Sequence, residues 1–276
     1  MYNVDMSLPL VSIIVPVFNT GKSAKKLVSN ILGGKYSNVE IILVDDGSTD
    51  DSLEILKSIK SNKVNVYSKK NGGPSAGRNF GLERARGEYL LFIDSDDEIK
   101  DDFISKLVKN MCNDGVVLVS TGIVYEKVKE GTGENLYLQS FVRGDGERLE
   151  KFVLRSLLKD GRMYPVFNKI FDAEVVRKNN LRFDEKMNYG EDTKFVLDYL
   201  KKKDGEVRFI LEPLYVYNVG TATSTAAKTV GVWSNWQKCY ANLRKWVGRK
   251  ASFDEKILLR LIYLKWRASW LKAKLS

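Results

Sequence analysis

The chain has 276 residues, of which 43% are hydrophobic and 29% charged, and its formal net charge is +10. This composition excludes a disordered chain and suffices for one large core or for a domain with an added lobe. Histidine is absent, which excludes the commonest general base and any Ser-His or Cys-His nucleophile pair, so catalysis would rely on carboxylates, amides and cations.

Apolar runs alternate with helical patterns over the first 110 residues, which predicts a parallel sheet with helices on its faces. In chain order, the predicted strands are 11–17, 39–44, 64–67 and 89–93, and the last of the intervening helices is predicted over 74–86. Ligands of such sheets bind beyond the carboxyl ends of the strands. Three strands end in polar motifs, PVFNT, DDGSTD and DSDD, which we therefore expect to meet in one crevice.

The acidic turn after the fourth strand is the most unusual motif, because YLLFIDSDDE places Asp94, Asp96 and Asp97 in close succession. Like charges this close repel one another unless a cation neutralises them. One interpretation is that they cap a helix predicted to begin near Asp101. Three carboxylates exceed what a cap needs, whereas Mg²⁺ or Mn²⁺ typically binds carboxylates together with substrate phosphates. A metal that bridges a diphosphate is therefore the favoured interpretation.

Two further motifs have both a structural and a functional interpretation. Asp45 and Asp46 in VDDGSTDDS can shape a turn, but a carboxylate at a strand end can also accept the ring N–H of a uracil or thymine base. The glycine-rich stretch NGGPSAGRNFG (71–81) lacks the GK[ST] of a P-loop and the GxGxxG of a dinucleotide fold. Its informative residue is Arg78, a candidate phosphate ligand on a helix that opens at Pro74.

Taken together and in this order, SIIVPVFN, VDDGSTD, NGGPSAGRN and LLFIDSDD resemble the nucleotide-sugar-binding half of the family 2 glycosyltransferases, inverting enzymes of GT-A fold. The resemblance implies an α/β fold with a Rossmann-like, mostly parallel sheet flanked by helices. It also implies a nucleoside-diphosphate sugar, first of all a UDP-sugar, as donor, and Mn²⁺ or Mg²⁺ as cofactor. The implied metal ligands are Asp96 and Asp94. The implied donor-binding residues are Pro16, Phe18, Asn19, Asp45, Asp46, Asn71, Arg78, Asp94 and Ser95.

Residues 167–200 resemble the acceptor half of bacterial members, in which an NK-[LI] segment precedes a GED motif whose aspartate is the catalytic base. The resemblance implies that Asp192 is this base, with Glu191 as the reserve candidate. The same motif is also an ordinary start for a helix over 193–201, because acidic residues favour helix N-termini.

One segment departs from the family pattern. Where family members often carry a histidine followed by serines, this chain reads YNVGTATST (217–225). The candidate replacements in the metal and diphosphate site are Asn218, Thr223 and Ser224.

The implied reaction transfers a sugar from the donor to a hydroxyl of a glycan or lipid-linked saccharide, in bacterial cell-surface polysaccharide or glycoconjugate synthesis. The alternatives are a nucleotidyltransferase on a similar sheet and a basic nucleic-acid-binding protein, although the acidic crevice argues against nucleic acid. The predicted organisation is a nucleotide-sugar-binding half (1–110), an acceptor-binding half (111–224) and a basic, tryptophan-rich helical tail (225–276).

The tail carries 12 Lys and Arg residues against 2 acidic ones, and it contains all five tryptophans. One interpretation is that its helices pack on the catalytic body; the other is that they hold the protein at an anionic membrane surface. Because the N-terminus lacks signal-peptide features, we expect a cytoplasmic protein, peripheral at the inner face of the membrane. The predicted apolar stripes are Leu258, Leu259, Ile262, Trp266, Trp270 and Ala273 on one helix, and Trp233, Trp236, Tyr240 and Leu243 upstream.

Overall fold

A computed structural model describes residues 8–127, 133–134, 147–159, 165–187, 190–219, 233–248 and 251–275. Helices flank one mixed sheet. The strands are β1 Val11–Val17, β2 Val39–Asp45, β3 Val64–Ser68, β4 Tyr89–Phe92, β5 Glu98–Ile99, β6 Val116–Lys127, β7 Gly133–Glu134, β8 Lys169–Asp172 and β9 Glu206–Val219. The helices are α1 Gly21–Gly33, α2 Ser52–Lys57, α3 Pro74–Leu82, α4 Phe103–Met111, α5 Leu149–Lys159, α6 Ala173–Lys178, α7 Glu191–Leu200, α8 Trp233–Val247 and α9 Phe253–Leu275.

The first four strands form the parallel sheet that the sequence predicts. β1 pairs in parallel with both β2 and β4, and β2 pairs in parallel with β3. Every residue of β1 and β2 is buried, and neighbouring residues enter different cores: Ile14 and Ile42 belong to one, Ile13 and Ile41 to the other. Both faces are therefore covered, which is why these strands read as continuous apolar runs. The carboxyl ends of β1, β2 and β4 lie at one edge.

Antiparallel strands extend the sheet beyond β4. The strand order is β3-β2-β1-β4-β8-β6-β9-β5, with β7 paired to β6. β8 is antiparallel to both β4 and β6, while β9 runs parallel to β6 and antiparallel to β5. The α/β sheet with flanking helices is confirmed, and its parallel character holds in the first half. The acidic turn after β4 lies where the two parts of the sheet join.

The described residues of the tail form α8 and α9, which confirms the predicted C-terminal helical extension. Leu259, Ile262 and Trp266 of α9 are buried in the same core cluster as residues of α5 and α7. The rings of Trp236 and Trp266 lie 4.5 Å apart, centroid to centroid. Most of the predicted residues thus pack on the body: Trp236, Tyr240 and Leu258 are partly buried against the same cluster, and Trp270 is also partly buried. The side chains of Trp233 and Ala273 lie outside the described residues. No helix in the described ranges has the length and apolar character needed to cross a bilayer.

Candidate active site

The acidic turn follows directly from β4. Hydrogen bonding from Asp97 N to Asp94 O (3.2 Å) closes it, and the side chains of Asp94 and Asp96 are only partly buried. The following helix, α4, begins at Phe103 after an N-cap at Asp102, and β5 lies between the turn and that helix. The aspartates of the turn therefore do not cap a helix, which removes the structural alternative for this motif.

Asp97 has a different role from its neighbours. Its buried carboxyl accepts hydrogen bonds from Tyr215 Oη (2.6 Å) and Asn218 N (3.0 Å), which fasten β9 behind the turn. Burial, and then the negative charge of Asp94, raise the pKa of Asp97 to about 8. The side-chain amide of Asn218 donates to Asp96 O at 2.6 Å. The structure thus places Asn218 at the turn, whereas the other candidates of that loop, Thr223 and Ser224, lie outside the described residues.

The donor set at the turn fits a hard divalent cation. Among the described residues, no group of three His, Cys, Asp or Glu side chains could enclose a metal by itself. Asp94 and Asp96 nevertheless offer carboxylate oxygens, and Mg²⁺ commonly uses one or two carboxylates with substrate phosphates and water for the rest. The residues present suit an ion that binds together with a diphosphate.

Arg78 of α3 lies at the centre of the carboxylates, with only 4% of its side chain exposed. Its Nη2 donates to Asp94 Oδ1 at 2.7 Å, and its Nη1 donates to Asp192 Oδ1 at 3.1 Å. Glu191 Oε1 lies 3.7 Å from the same Nη1. One guanidinium therefore connects the acidic turn after β4 with the GED segment.

Asp192 and Glu191 open α7 after Gly190, whose φ of 82° suits glycine. Asp192 Oδ2 accepts from Val166 N at 3.3 Å, so both of its oxygens bind partners outside its own helix. This geometry favours a site role over simple helix capping. Burial raises the pKa of Asp192 although Arg78 opposes the shift, and burial followed by the charge of Asp192 raises the pKa of Glu191 to about 7.

The loops after β1, β2 and β3 are fastened to one another by side chains predicted to bind the donor. Asn19, which adopts a φ of 54°, donates from its N to Ser48 Oγ at 3.0 Å and accepts from Thr49 N at 2.8 Å. Asn71 Nδ2 donates to Asp46 O at 2.8 Å. These contacts bring the loops after β1, β2 and β3 together at the carboxyl edge of the sheet.

Asp45 and Asp46 are both buried at the end of β2. Asp45 accepts from Ser48 N (3.3 Å) and Ser68 Oγ (2.9 Å), and Asp46 accepts from Lys69 Nζ (2.7 Å), Gly72 N (3.0 Å) and Gly73 N (2.6 Å). The turn-shaping interpretation therefore accounts for their present contacts. Recognition of a base by either carboxylate stays a prediction.

The remaining predicted donor residues line the same edge. Pro16 is buried under α3, where a side chain in place of Gly77 would bring its Cβ within 3.0 Å of Pro16 Cβ. Phe18 is exposed on the loop that follows, and its ring is available to a planar ligand. Ser95 is buried, with its Oγ 2.6 Å from Thr20 Oγ1.

Lys169 is a charged residue of this region that the sequence analysis did not single out. Its fully buried Nζ donates to Pro165 O at 2.7 Å and to Asn168 Oδ1 at 2.9 Å. Burial lowers its pKa to about 7, against the attraction of Asp192. The sequence feature that could have pointed to Lys169 is the NK pair in which it lies. A lysine at the start of a strand, however, normally indicates a solvent-exposed position.

Comparisons with known proteins confirm the family resemblance seen in the sequence. The sequence model of the family described as Glycosyl transferase family 2 matches residues 12–179. An uncharacterized glycosyltransferase of Haemophilus influenzae is 31% identical over 81% of this chain and 84% of its own length. Glycosyltransferase GlyG of Streptococcus pneumoniae is also 31% identical, over 75% of this chain and 70% of its own.

Two solved structures share the fold. The Staphylococcus aureus TarS 1-349 complex with UDP superposes with a TM-score of 0.67 at 18% identity, covering 92% of this chain and 70% of that one. Mannosyltransferase PcManGT from Pyrobaculum calidifontis, in complex with GDP-Man and Mn²⁺, gives 0.65 at 17% identity, covering 94% and 70%. The sheet with its flanking helices is thus of the GT-A type. Given the family match over more than half of its length, the chain belongs to glycosyl transferase family 2.

Proposed function

We propose that this glycosyltransferase moves a sugar from a nucleoside-diphosphate donor, UDP-linked in the first instance, to an acceptor hydroxyl with inversion of the anomeric centre. The observation that carries the proposal is the shared guanidinium of Arg78, which holds Asp94 of the acidic turn and Asp192 of the GED segment within one cluster. A diphosphate bound at the turn would therefore lie beside a carboxylate that can act as a base. The complexes of TarS with UDP-GlcNAc and of PcManGT with GDP-Man support this class of donor.

Each residue of the cluster has a task in this reaction. Asp192, which Arg78 holds by a hydrogen bond, takes the proton of the acceptor hydroxyl on a carboxylate oxygen as that hydroxyl attacks the sugar. Arg78 also contributes positive charge beside the departing diphosphate. Asp94 and Asp96 would hold Mn²⁺ or Mg²⁺, which supplies electrostatic stabilisation of that leaving group. No protein nucleophile is required, consistent with a single inverting displacement.

The acceptor and the place of action are parts of the same proposal. We take the acceptor to be a hydroxyl of a glycan or lipid-linked saccharide used in bacterial cell-surface polysaccharide or glycoconjugate synthesis. The similarity to bacterial glycosyltransferases supports this class. The enzyme would meet such an acceptor at the cytoplasmic face of the membrane. We also propose that the chain is divided into a donor half, an acceptor half and a tail.

The decisive experiment measures the melting temperature of the chain with a panel of nucleoside diphosphates, with and without Mn²⁺. We expect one nucleotide to raise the melting temperature when Mn²⁺ is present and to have little effect in metal-free buffer. Asp96→Asn should remove this dependence, because a neutral amide replaces a carboxylate ligand poorly. Asp101→Asn, an exposed aspartate near the same turn, is the matched control and should behave like the parent chain.

Two results would contradict the proposal. One is an equal nucleotide-induced shift for Asp96→Asn and the parent chain when Mn²⁺ is present, which would remove the metal assignment. The other is release of pyrophosphate from a nucleoside triphosphate and a sugar phosphate, which would indicate a nucleotidyltransferase. Product analysis by NMR with the sugar donor of the stabilising nucleotide then tests whether the anomeric configuration is inverted.

A further inference from the structure

Helix α9 is apolar on two opposite faces. The inner face, with Leu259, Ile262 and Trp266, is buried against the body. Nine large hydrophobic side chains of the described residues are exposed, and five of them lie on α9, so the exposed apolar surface of the protein is concentrated on this helix. We call these five the outer face: Phe253 (77% exposed), Ile257 (43%), Leu261 (42%), Leu264 (50%) and Leu271 (42%).

The outer face is a continuous stripe. Its members follow one another at intervals of three, four or seven residues, which places them on one side of an α-helix. From Phe253 to Leu271 the stripe extends about 27 Å, at about 1.5 Å per residue. The stripe lies opposite an inner face that already stabilises the helix. Within the described part of the chain its side chains are exposed, so the stripe is open to a partner.

Positive charge borders the outer face. Lys256, Arg260 and Arg267 are exposed and lie along one side of the stripe. Of the two acidic residues of the helix, Glu255 is buried, and Asp254 is exposed but has its charge offset by Lys151 at 3.4 Å. The charge that the stripe presents to a partner is therefore positive.

The positive charge indicates which kind of partner the apolar stripe would bind. A second copy of the chain would set basic borders against basic borders, and the repulsion disfavours a dimer through α9. An anionic lipid surface satisfies both features, since acyl chains take up apolar side chains while headgroups attract Lys and Arg. The helix cannot cross the bilayer, so it would lie in its plane.

We propose that the outer face of α9 is the membrane contact of this protein, with the helix lying in the headgroup region of an anionic bilayer. The contact differs from the tryptophan stripe predicted from sequence, because Trp266 is buried on the inner face with its ring against that of Trp236. The proposal concerns this surface alone and is independent of the transferase reaction.

Co-sedimentation of the full 276-residue chain with phosphatidylcholine vesicles that contain phosphatidylglycerol tests the proposal. We expect binding to rise with the phosphatidylglycerol content and to fall with salt. The double variant Leu261→Ser with Leu264→Ser should lose at least ten-fold in vesicle affinity, because removal of buried apolar area weakens insertion, an effect of roughly that size for two side chains. Leu211→Ser, which changes a leucine with 46% exposure on β9, is the matched control and should bind like the parent chain.

A second pair of variants tests the charged border. Arg260→Gln with Arg267→Gln should weaken binding to anionic vesicles by roughly 25-fold, at about five-fold per residue, and should flatten the salt dependence. Lys22→Gln with Lys57→Gln, two exposed lysines of α1 and α2, should leave binding unchanged.

Three outcomes would overturn the proposal. Equal pelleting of the Leu261/Leu264 variant and the parent chain would show that this face is not the contact. A large drop in melting temperature for that variant without lipid would mean that the stripe packs within the folded chain. Conversion of a dimer to a monomer by the same variant, measured by light scattering, would assign the face to a second copy.

Discussion

Asp192 and Glu191 are adjacent carboxylates with different surroundings. Asp192 has 19% of its side chain exposed and binds both Arg78 and the backbone N–H of Val166. Glu191 approaches Arg78 only at 3.7 Å. Arg78 and Val166 N hold the Asp192 carboxyl group in place, whereas Glu191 approaches Arg78 less closely, so Asp192 is the better positioned candidate for the base.

Asp192→Asn should therefore keep donor affinity and lose about 10²- to 10⁴-fold in the transfer rate, the scale typical of a general base. Calorimetry with the donor and a radiolabelled transfer assay measure the two quantities separately. Glu191→Gln is the matched comparison and should retain most of the rate. A larger rate loss for Glu191→Gln than for Asp192→Asn would exchange their roles.

Glu191 also predicts a pH dependence of stability. Its pKa rises from 4.5 to about 7 on folding, so between these values the folded state keeps a proton that the unfolded chain has released. Glu191 thus makes its full contribution to the free energy of unfolding below pH 4.5. As the pH rises towards 7 this contribution is lost, which lowers the free energy of unfolding by up to about 3 kcal/mol.

Glu191→Gln should remove that loss. Guanidinium unfolding of the metal-free and donor-free protein at about pH 5 and about pH 7.5 should show a free energy of unfolding that falls less with pH in the variant. Identical pH profiles for the variant and the parent chain would show that the surroundings of Glu191 differ from those described.

The site residues show how far sequence reasoning reaches at this scale. Asp94 was predicted because an acidic turn stands out after the apolar strand that precedes it, and Asp192 because its GED segment resembles that of family members. The pairing of Asp97 with Tyr215 could not be predicted, because the two residues are 118 positions apart and their contact depends on where β9 enters the sheet. Lys169 was missed for a similar reason, since its burial depends on tertiary packing.

At the scale of elements, α3 lies against β1 closely enough to require glycine. A Cβ built on Gly81 would lie 2.4 Å from Ile14 Cγ2, and Ile14 is fully buried between the sheet and α3. Such a contact cannot be relieved without movement of the core.

Gly81→Ala should destabilise the protein by about 1–3 kcal/mol, the typical cost of overpacking a core. Gly33, the last residue of α1, is the matched control, because a Cβ added there would have no atom within 4 Å. Gly33→Ala should be neutral or stabilising by about 0.5 kcal/mol, because alanine favours the helix. Denaturant unfolding of both variants checks the difference; equal stabilities would show that α3 can move away from β1.

The same scale shows what hydrophobic patterns leave open. The four parallel strands were predicted because apolar runs between helical patterns indicate βαβ units. The antiparallel placement of β8 was not, because a short apolar run says nothing about which strand it pairs with or in which direction. Helix ends were also approximate: α3 ends at Leu82, four residues before the predicted end.

In the whole molecule, Arg78 connects parts of the chain that are distant in sequence. It extends from α3 to the turn after β4 and to α7, and its side chain is almost completely buried. Removal of one member of a buried charge cluster leaves the others without compensation. The carboxylates then take up protons more readily, so their mutual repulsion is relieved at low pH.

Arg78→Gln should therefore destabilise the protein by about 3 kcal/mol at about pH 8 and by clearly less at about pH 5. Thermal unfolding at the two pH values measures the difference. Arg208→Gln is a suitable control, because Arg208 pairs with Glu206, whose side chain is 48% exposed, so its removal leaves no buried carboxylate uncompensated. A loss for Arg78→Gln that does not depend on pH would indicate a packing effect instead.

From their burial, we expect the two faces of α9 to be under different evolutionary constraints. Substitutions at Leu259, Ile262 or Trp266 must preserve the fit to α5 and α7, so we expect these positions to drift slowly among relatives. Phe253, Leu261 and Leu264 carry no such restriction from the fold and can change with the surface at which each relative works. We therefore expect the residues of the inner face of α9 to vary less among relatives than the residues of its outer face.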